Sequence, residues 1–278
     1  RCTSRGLGDV YKRQGRRFYF LTGDLARLEL ALINFAIETL CENGYSLTTP
    51  PFLMNREAYE GVVDLTDFEE VMYKIEDHDL YLIATSEHPI TARFKNEIIE
   101  LKDGPLKFAG ISTNFRREVG AHGISDRGIW RVHQFSKVEQ VIICKPEDSK
   151  KMHNEILENA TLIFKKLEIP FRVIDICTGD IGTVAARKFD IEAWMPSSKK
   201  WKEVVSASNC KSYQSVRLNM RYRTQEGTDF PHTLNSTAVA TTRALAAIIE
   251  NNQTDNGDVI IPEVLRKWMG NQEIIEAK

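Results

Sequence analysis

The sequence predicts a protein of the α+β class, and two observations support this. Two strand-like runs flank a polar, glycine-punctuated loop between residues 115 and 139, and they can pair as an antiparallel hairpin. Earlier in the chain, a helical pattern is followed at once by a short strand that ends in two prolines. Neither GxGxxG nor GxxxxGK[ST], the glycine-rich motifs of nucleotide-binding parallel sheets, occurs in the sequence.

Composition limits the class of protein further. The chain has 278 residues, 42% hydrophobic and 27% charged, which is enough for one large core or two small ones. A net charge of −2 gives no global signal for nucleic acid, so such a partner would need a local basic patch. The five cysteines form no CxxC pair, which favours free thiols in the cytoplasm. No apolar run approaches the roughly 20 residues of a membrane span, and the histidines lack metal-ligand spacing.

The first elements follow from periodicity and turn residues. A helix is predicted over residues 25–42, with Asp24 as its cap and Gly44 at its end. A strand over residues 45–49 follows and runs into the two prolines.

Two short strands are then predicted, over residues 71–75 and 80–83. In the sequence ATSE that follows, Thr85 or Ser86 can cap the next helix and place Glu87 in its first turn. The apolar pattern predicts a helix over residues 90–101.

The hairpin carries charged and aromatic side chains on one face. Arg116 and Glu118 are two residues apart, so they share a face of an extended chain. In the second run, Arg131 and Phe135 lie on one face, which Glu139 continues. This surface suits a nucleotide, because arginines match phosphate oxygens and a phenylalanine can stack on a base. A solvated hairpin with weak cross-strand ion pairs explains the pattern equally well.

The C-terminal half contains further helices and strands. Ser149 is predicted to cap a long helix, and strands are predicted over residues 171–177 and 189–195. The sequence KEVVS begins as an exposed strand with a charge at residue 202. Residues 233–238 are predicted to open a helix of small residues that carries Arg243.

Together these motifs resemble a known family. FRREVGAHGISDRGIWRVHQFSKVE resembles motif 2 of the class II aminoacyl-tRNA synthetases, and its RVHQFSKVE ending resembles the seryl branch. The early helix, strand and Pro51 resemble motif 1, and LNSTAVATTRALAAIIE resembles motif 3. TSE, EVVS and SNCKSYQSVRLN resemble seryl-type segments between them. The resemblance covers about residues 15–270 and implies a mixed, mostly antiparallel sheet flanked by helices.

The resemblance implies an ATP-dependent ligase that activates L-serine to seryl-adenylate and transfers serine to tRNA(Ser) or tRNA(Sec). The implied catalytic residues are Arg116 and Arg243. The implied ATP site consists of Arg116, Glu118, Arg131, Val132, Phe135, Glu203, Ser206 and Arg243, with Glu203 and Ser206 also holding Mg²⁺. The implied serine site consists of Thr85, Glu87, Arg116, Glu139, Asn235 and Thr237. A homodimer is implied through the helix and strand between Leu25 and Pro51.

The N-terminal end departs from the family pattern. Seryl enzymes usually carry a long helical hairpin that grips the tRNA, and no heptad-bearing segment precedes Gly15. We therefore expect residues 15–278 to form the catalytic domain, with serine activation retained and tRNA charging weakened. Residues 1–14, RCTSRGLGDVYKRQ, lack any structural period, so we interpret them as a non-native or disordered leader. A genuine basic arm is the alternative.

Two other functions stay open at this point. One is a ligase that loads an amino acid onto a carrier protein, although no metal-binding Cys/His set of such relatives is apparent in the sequence. The other is a non-catalytic paralogue that acts as a binding protein. Loss of the motif arginines would favour the paralogue, but Arg116, Arg131 and Arg243 are all present.

Overall fold

The structure is a computed structural model that describes residues 14–118 and 128–277, so the predicted leader lies outside the described residues except for Gln14. The strands are β1 (Ser46–Thr48), β2 (Leu53–Met54), β3 (Tyr73–Lys74), β4 (Tyr81–Leu82), β5 (Ile98–Ile99), β6 (Leu106–Phe115), β7 (Gln134–Cys144), β8 (Phe171–Asp175), β9 (Arg187–Met195), β10 (Lys200–Lys211), β11 (Arg221–Arg223), β12 (Thr228–Asp229), β13 (His232–Ala240), β14 (Val259–Ile260) and β15 (Ile274–Ile275). The α-helices are α1 (Asp24–Glu42), α2 (Arg56–Val62), α3 (Leu65–Phe68), α4 (Glu87–Ala92), α5 (Ser149–Lys166), α6 (Tyr213–Arg217), α7 (Thr241–Asn252) and α8 (Glu263–Arg266).

A seven-stranded sheet forms the centre, with the strand order β1-β6-β7-β13-β10-β9-β8. Only β1 and β6 pair in parallel among these strands, and the other neighbours are antiparallel. The predicted fold class, a mixed, mostly antiparallel sheet flanked by helices, is confirmed.

The helices α1, α5 and α7 cover one face of this sheet. The apolar stripe predicted for α5 is buried, as shown by Met152, Ile156 and Ile163, and it meets Leu32 of α1 in one core. Strand β7 contributes Val138 and Ile142 to that core, while its alternate residues face the other way. None of the helices in the described part of the chain is long and apolar enough to cross a membrane.

The opposite face of the sheet carries smaller elements. The strands β2, β4 and β3 form one small sheet, and β12, β11 and β5 form another. These elements, with α2 and α6, bury a second cluster that includes Tyr59, Ile83, Ile143 and Leu218. The second cluster covers part of this sheet face and leaves the rest for a cavity.

The helix predicted over residues 90–101 is wrong in its position. The helix α4 ends at Ala92, and Asn96 takes a left-handed conformation with a φ of 59°. Ile98 then pairs with Arg221 of β11. The apolar pattern of this segment is therefore used by strand pairing, and the tertiary contact overrides the local helical preference.

The helix predicted to open over residues 233–238 is also wrong. Those residues lie inside β13, which pairs with β7 on one side and with β10 on the other. The helix α7 begins only at Thr241. Pairing on both sides places this run of small and β-branched residues in a central strand, where such side chains pack well.

The predicted caps are wrong as well. Asp24 and Ser149 are each the first residue of their helix instead of the residue before it. Gly23 precedes α1, and the Asp24 carboxylate accepts a hydrogen bond of 3.1 Å from Arg27 within the first turn. Asp148 precedes α5 and makes no side-chain capping bond.

Candidate active site

A cavity of about 220 Å³ opens on the sheet face away from α1, α5 and α7. Strand β7 presents Phe135, Lys137 and Glu139 to this cavity, since every second residue of a strand points to the same side. The cavity is lined by all the residues of the predicted ATP and serine sites except Arg131. The outlying Arg131 contacts the cavity wall through an ion pair of 3.1 Å with Glu118.

The hairpin between β6 and β7 is shorter than predicted. The two strands end at Phe115 and resume at Gln134, and residues 119–127 of the motif lie outside the described residues. One further pair persists, because the Arg116 amide donates to the His133 carbonyl at 2.9 Å. Glu118 is not extended but left-handed, with a φ of 49°. The predicted shared strand face for Arg116 and Glu118 is therefore wrong, although both side chains reach the cavity.

Two β-bulges bring residues at odd spacing to the same cavity. Glu203 and Ser206 are three residues apart and would point to opposite faces of a regular strand. The register of β10 against β9 shifts between Glu203 and Val205, so one extra residue restores the face. A second shift, between Thr237 and Val239 of β13, does the same for Thr237 and Ala240.

One half of the cavity is lined by guanidinium and aromatic groups. The Arg116 side chain donates from Nε to the Ala84 carbonyl at 3.3 Å, and its guanidinium carbon lies 5.3 Å from the centre of the Phe135 ring. Arg243 pairs with the Glu203 carboxylate at 3.2 Å and donates to the Glu203 carbonyl at 3.0 Å. Its guanidinium carbon also lies 5.6 Å from the centre of the Trp130 ring. Phosphate oxygens and a flat base match these groups.

The other half is lined by buried carboxylates. Lys137 forms an ion pair with Glu139, and both side chains are almost fully buried. The Thr237 hydroxyl donates to Glu139 at 3.4 Å, and Glu87 accepts a hydrogen bond of 2.8 Å from Gln214. Two carboxylates and a hydroxyl are suited to bind an ammonium group and a second small polar group.

Of the two predicted caps in the ATSE segment, Ser86 precedes α4 but makes no side-chain capping bond, whereas Thr85 contacts the start of the helix. The Thr85 hydroxyl accepts a hydrogen bond of 3.3 Å from the Glu87 amide, which is the first amide of α4. Glu87, in the first turn, still lines the cavity with its carboxylate. Both interpretations of this segment therefore describe the same geometry.

Burial and neighbouring charge shift the titration of the cavity groups. Burial, reinforced by Glu139, raises the pKa of Glu87 to about 7, while Gln214, Lys137 and Arg116 act against the rise. Burial lowers the pKa of Lys137 and of Arg116. Burial also holds the pKa of His88 well below its ordinary value, so the imidazole is neutral at pH 7.

The residues predicted to hold Mg²⁺ present oxygen atoms at one end of the cavity. Glu203 contributes an exposed carboxylate and Ser206 a hydroxyl. Asp190 lies directly opposite Ser206 on β9, and its Oδ1 atom is buried without a hydrogen-bond partner among the described residues. Burial and the Glu203 charge raise the pKa of Asp190 to about 6. Mg²⁺ typically takes one or two protein oxygens together with phosphate oxygens, so this donor set fits the ion.

Sequence reasoning assigned no role to several residues that the structure brings to the site. Lys137 lies between Phe135 and Glu139 on the same strand face, so the alternation of β7 could have revealed it. Gln214 lies in the SNCKSYQSVRLN segment, where only its contact with Glu87 distinguishes it. Trp130 and Asp190 carried no pattern that points to the cavity.

Comparison with known proteins identifies the class. The family described as tRNA synthetase class II core domain (G, H, P, S and T) matches residues 70–252. The chain belongs to this family of class II aminoacyl-tRNA synthetases.

Within that family, the similarity lies with the seryl branch. The chain is 58% identical to a serine–tRNA ligase of Methanospirillum hungatei over 95% of its own length and 63% of the relative's. It is 53% identical to that of Thermococcus onnurineus, over 96% of the chain and 59% of the relative. The predicted resemblance to the seryl branch is confirmed. The chain spans about three fifths of the length of these relatives.

Solved structures agree with this assignment. A seryl-tRNA synthetase of Pyrococcus horikoshii complexed with ATP superposes with a TM-score of 0.94 and 49% identity, covering 98% of this chain and 61% of that one. A cytoplasmic serine–tRNA ligase of Naegleria fowleri in complex with AMP gives 0.92 and 43%, covering 98% and 64%. A prolyl-tRNA synthetase of Giardia lamblia, 18% identical with a TM-score of 0.80, covers 92% of this chain and 52% of that one and shares the fold.

Proposed function

We propose that the protein is a serine–tRNA ligase, which activates L-serine with ATP and transfers the serine to tRNA(Ser). The observation that carries the proposal is the composition of one cavity. Guanidinium and aromatic groups line one half of it, buried carboxylates line the other, and Arg116 contacts both. The related structures with ATP and with AMP support a nucleotide in the first half.

The first step is an in-line displacement at phosphorus. A carboxylate oxygen of serine forms a bond to the α-phosphorus of ATP, the bond to the bridging oxygen breaks, and pyrophosphate leaves with that electron pair. Negative charge is spread over the α-phosphate oxygens, so fixed positive charge and positioning supply the catalysis. Arg116 is the group that would bridge the serine carboxylate and the α-phosphate.

The remaining nucleotide contacts follow from the half of the cavity that is lined by guanidinium and aromatic groups, the nucleotide half. Phe135 would stack on the adenine, with Arg243 on its other side and within reach of the terminal phosphates. Glu118 and the Val132 backbone would hydrogen-bond the base, and Arg131 would complete the phosphate contacts. Each of these groups lines the cavity or, for Arg131, pairs with one that does.

The half of the cavity that is lined by buried carboxylates, the amino-acid half, would select serine. Glu139 and Glu87 would bind the ammonium group, with Thr85 beside them, and Thr237 and Asn235 would hydrogen-bond the hydroxyl. A site built to hydrogen-bond a hydroxyl rejects alanine strongly, because its own buried polar groups would stay unpaired.

Mg²⁺ would be held by Glu203 and Ser206 together with oxygens of the bound nucleotide. When bound, the ion would neutralise phosphate charge, and Arg243 already lies on the same carboxylate at 3.2 Å. Replacing Glu203 with Gln is expected to raise the Mg²⁺ concentration needed for half-maximal activity. An unchanged Mg²⁺ dependence would remove Glu203 from the metal site.

We also propose a homodimer through the helix and strand between Leu25 and Pro51. Strand β1 lies at the edge of the sheet, and Leu47 on it and Leu30 on α1 are more than half exposed. Edge strands with exposed apolar side chains favour pairing with another chain. Light scattering of the wild type and of Leu47→Lys tests this, and a monomeric wild type would contradict it.

We also propose a location for the protein in the cell. Four cysteines in the described part of the chain are unpaired thiols, which favours the cytoplasm as the location.

We propose residues 15–278 as the catalytic domain that carries both the ATP and the serine site. The tRNA acceptor would bind over the same cavity in the second step.

Serine-dependent exchange between ATP and pyrophosphate tests the activation step. Exchange is expected with serine and not with alanine, glycine or threonine. Exchange with one of the other amino acids would point to a carrier-loading ligase. No exchange from folded protein that binds ATP would favour a non-catalytic paralogue. Charging of tRNA(Ser) by the same preparation tests the second step.

A further inference from the structure

A buried glutamine links the amino-acid half of the cavity to three other elements. Gln214 lies in α6 and is 1% exposed. Its Nε2 atom donates to Oε1 of Glu87 at 2.8 Å and to the carbonyl oxygen of Val62 at 3.0 Å. Its Oε1 atom accepts a hydrogen bond of 2.6 Å from the hydroxyl of Thr233. Both N–H groups of the amide and one lone pair of its oxygen are therefore used.

The chemistry of the partners fixes the orientation of this amide. A main-chain carbonyl and an ionised carboxylate can only accept, so the nitrogen must face Val62 and Glu87. The oxygen must then face Thr233, which donates its hydroxyl proton. A flipped amide would place its oxygen against two acceptors, and a buried unsatisfied polar group is costly.

We propose that Gln214 is a positioning residue that aims the Glu87 carboxylate at the ammonium group of the amino-acid substrate and so sets the affinity for that substrate. The inference rests on the proposed function and deepens it. Gln214 itself does not line the cavity, so its action would pass through Glu87.

The charges around Glu87 explain why it needs a fixed donor. Lys137 and Arg116 attract the carboxylate, while Glu139 repels it. Cys210 on β10 interacts electrostatically with Glu87, and the neutral His88 on α4 and Asp64 line a neighbouring cavity together with Glu87. Of these groups, Lys137 is already paired with Glu139. The Gln214 amide is a neutral donor whose hydrogen bond of 2.8 Å lowers the pKa of this carboxyl and so favours its ionised form.

The test compares Gln214→Met with the wild type in ATP–pyrophosphate exchange. Methionine has a similar size but cannot donate to Glu87. We expect the KM for serine to rise about tenfold, the effect of one lost hydrogen bond to a charged group, with the KM for ATP unchanged. In the wild type the affinity for serine is expected to fall as the pH drops below about 7. In Gln214→Met the same fall is expected at a higher pH.

A matched control separates positioning from simple destabilisation. Ser215, the next residue in α6, donates to the Pro231 carbonyl at 2.6 Å and is equally buried. Ser215→Ala should lower the melting temperature but leave the KM for serine and its pH dependence unchanged. Equal changes in both variants, or a rise in the KM for ATP as large as that for serine, would overturn the proposal.

A second variant and a second readout keep the test decisive. If Gln214→Met does not fold, Thr233→Val removes the group that orients the amide, and about a threefold rise in the KM for serine is expected. The pKa of Glu87, followed by carboxyl-carbon NMR, should rise in either variant whether or not the protein turns over serine. An unchanged pKa of Glu87 would contradict the proposal, whereas a wild type that does not exchange with serine would contradict only the proposed function.

Discussion

The two halves of the cavity hold their charges in different ways. In the nucleotide half, each ion pair has one solvent-exposed partner: Arg131 is 42% exposed against 12% for Glu118, and Glu203 is 46% exposed against 19% for Arg243. In the amino-acid half, the side chains of Lys137 and Glu139 are only 6% and 3% exposed. The same types of residue therefore act in two different dielectric environments.

This difference bears on specificity. Exposed ion pairs contribute little to stability, so their arginines can exchange a carboxylate for a phosphate at small cost. A buried pair must keep its partners, since an unpaired buried charge is expensive. We infer that the nucleotide contacts rearrange when ATP binds, while the serine contacts are already arranged before binding. If the proposed function holds, discrimination between amino acids would belong to the buried half, where an unmet hydrogen bond costs most.

The largest effect is expected at Arg116, which touches both halves. Arg116→Ala should reduce serine-dependent exchange about a thousandfold, comparable to the loss of a main oxyanion donor, because no other group would bridge the two substrates. Stability should change little, because the side chain makes a single hydrogen bond to other described residues, of 3.3 Å to Ala84, and because burial already disfavours its charge. Exchange kinetics and thermal unfolding measure the two effects.

The neighbouring arginine supplies the control for this substitution. Arg117 is exposed and does not line the cavity, so Arg117→Ala should exchange at nearly the wild-type rate. Near-normal exchange by folded Arg116→Ala would show that the two halves are not joined at this residue.

The next effect concerns stability and compares one ion pair from each half. Lys137→Met leaves Glu139 buried beside Glu87 without its cation, and the free energy of unfolding should fall by about 3 kcal/mol. Arg131→Met breaks the exposed pair with Glu118 and should cost less than about 1 kcal/mol. Denaturant unfolding of both variants measures the difference, and equal costs would remove the contrast between the halves.

The sequence predicted the fold class, because helical stripes, strand alternation and the family motifs all pointed to it. It failed where tertiary pairing decides. Residues 233–238 have a pattern compatible with a helix, yet strands on both sides hold them in β13. Ile98 likewise belongs to an apolar run that suggested a helix, but it pairs with Arg221. The strands that pair with these two segments are distant from them in the sequence, so no local pattern could have predicted the pairing.

The candidate site could be predicted from the sequence only in part. Most of its residues came from the family motifs, since spacing alone would place Glu203 and Ser206 on opposite faces of β10. The bulge that reconciles them leaves no mark in the sequence. Lys137 could have been found from the alternation of β7. Gln214 could not, because its role depends on a contact between residues that are 127 positions apart.

A smaller effect is expected where function and stability oppose each other. Glu87 has a pKa of about 7 in the folded protein, against 4.5 for the unperturbed group. Above pH 7 the carboxyl is charged in both the folded and the unfolded state, and the folded state bears the cost of that charge. As the pH falls through 7 towards 4.5, the folded state takes up the proton and the cost disappears.

Glu87→Gln should therefore stabilise the protein at pH 8 by about 2 kcal/mol, which allows for screening by water in the cavity. The gain should shrink as the pH is lowered below about 7. Exchange with serine should be lost because the ammonium group loses its partner. Denaturant unfolding between pH 5 and pH 8 measures the difference (the range follows the titration of this one group). A gain that does not depend on pH would assign it to packing instead of charge.

The smallest effect tests whether the amino-acid half can be disturbed without the nucleotide half. Gly110 lies opposite Glu139, and a Cβ atom there would stand 2.5 Å from the Ser86 hydroxyl and 2.5 Å from Cδ1 of Ile90. Ser86 is fully buried, so Gly110→Ala must push the segment that carries Thr85 and Glu87 outwards. About 1 kcal/mol of stability should be lost, and the KM for serine should rise several-fold while that for ATP stays constant.

Gly179 provides the control for this substitution, because a Cβ atom there meets open space. Gly179→Ala should leave both KM values unchanged. Parallel rises of the two KM values in Gly110→Ala would mean that the halves move together. A rise for serine alone would show that the close contact between Gly110 and Ser86 sets the position of the serine contacts independently of the ATP site. In that case the buried half would owe its arrangement to sheet and helix packing beneath it, and not to the nucleotide beside it.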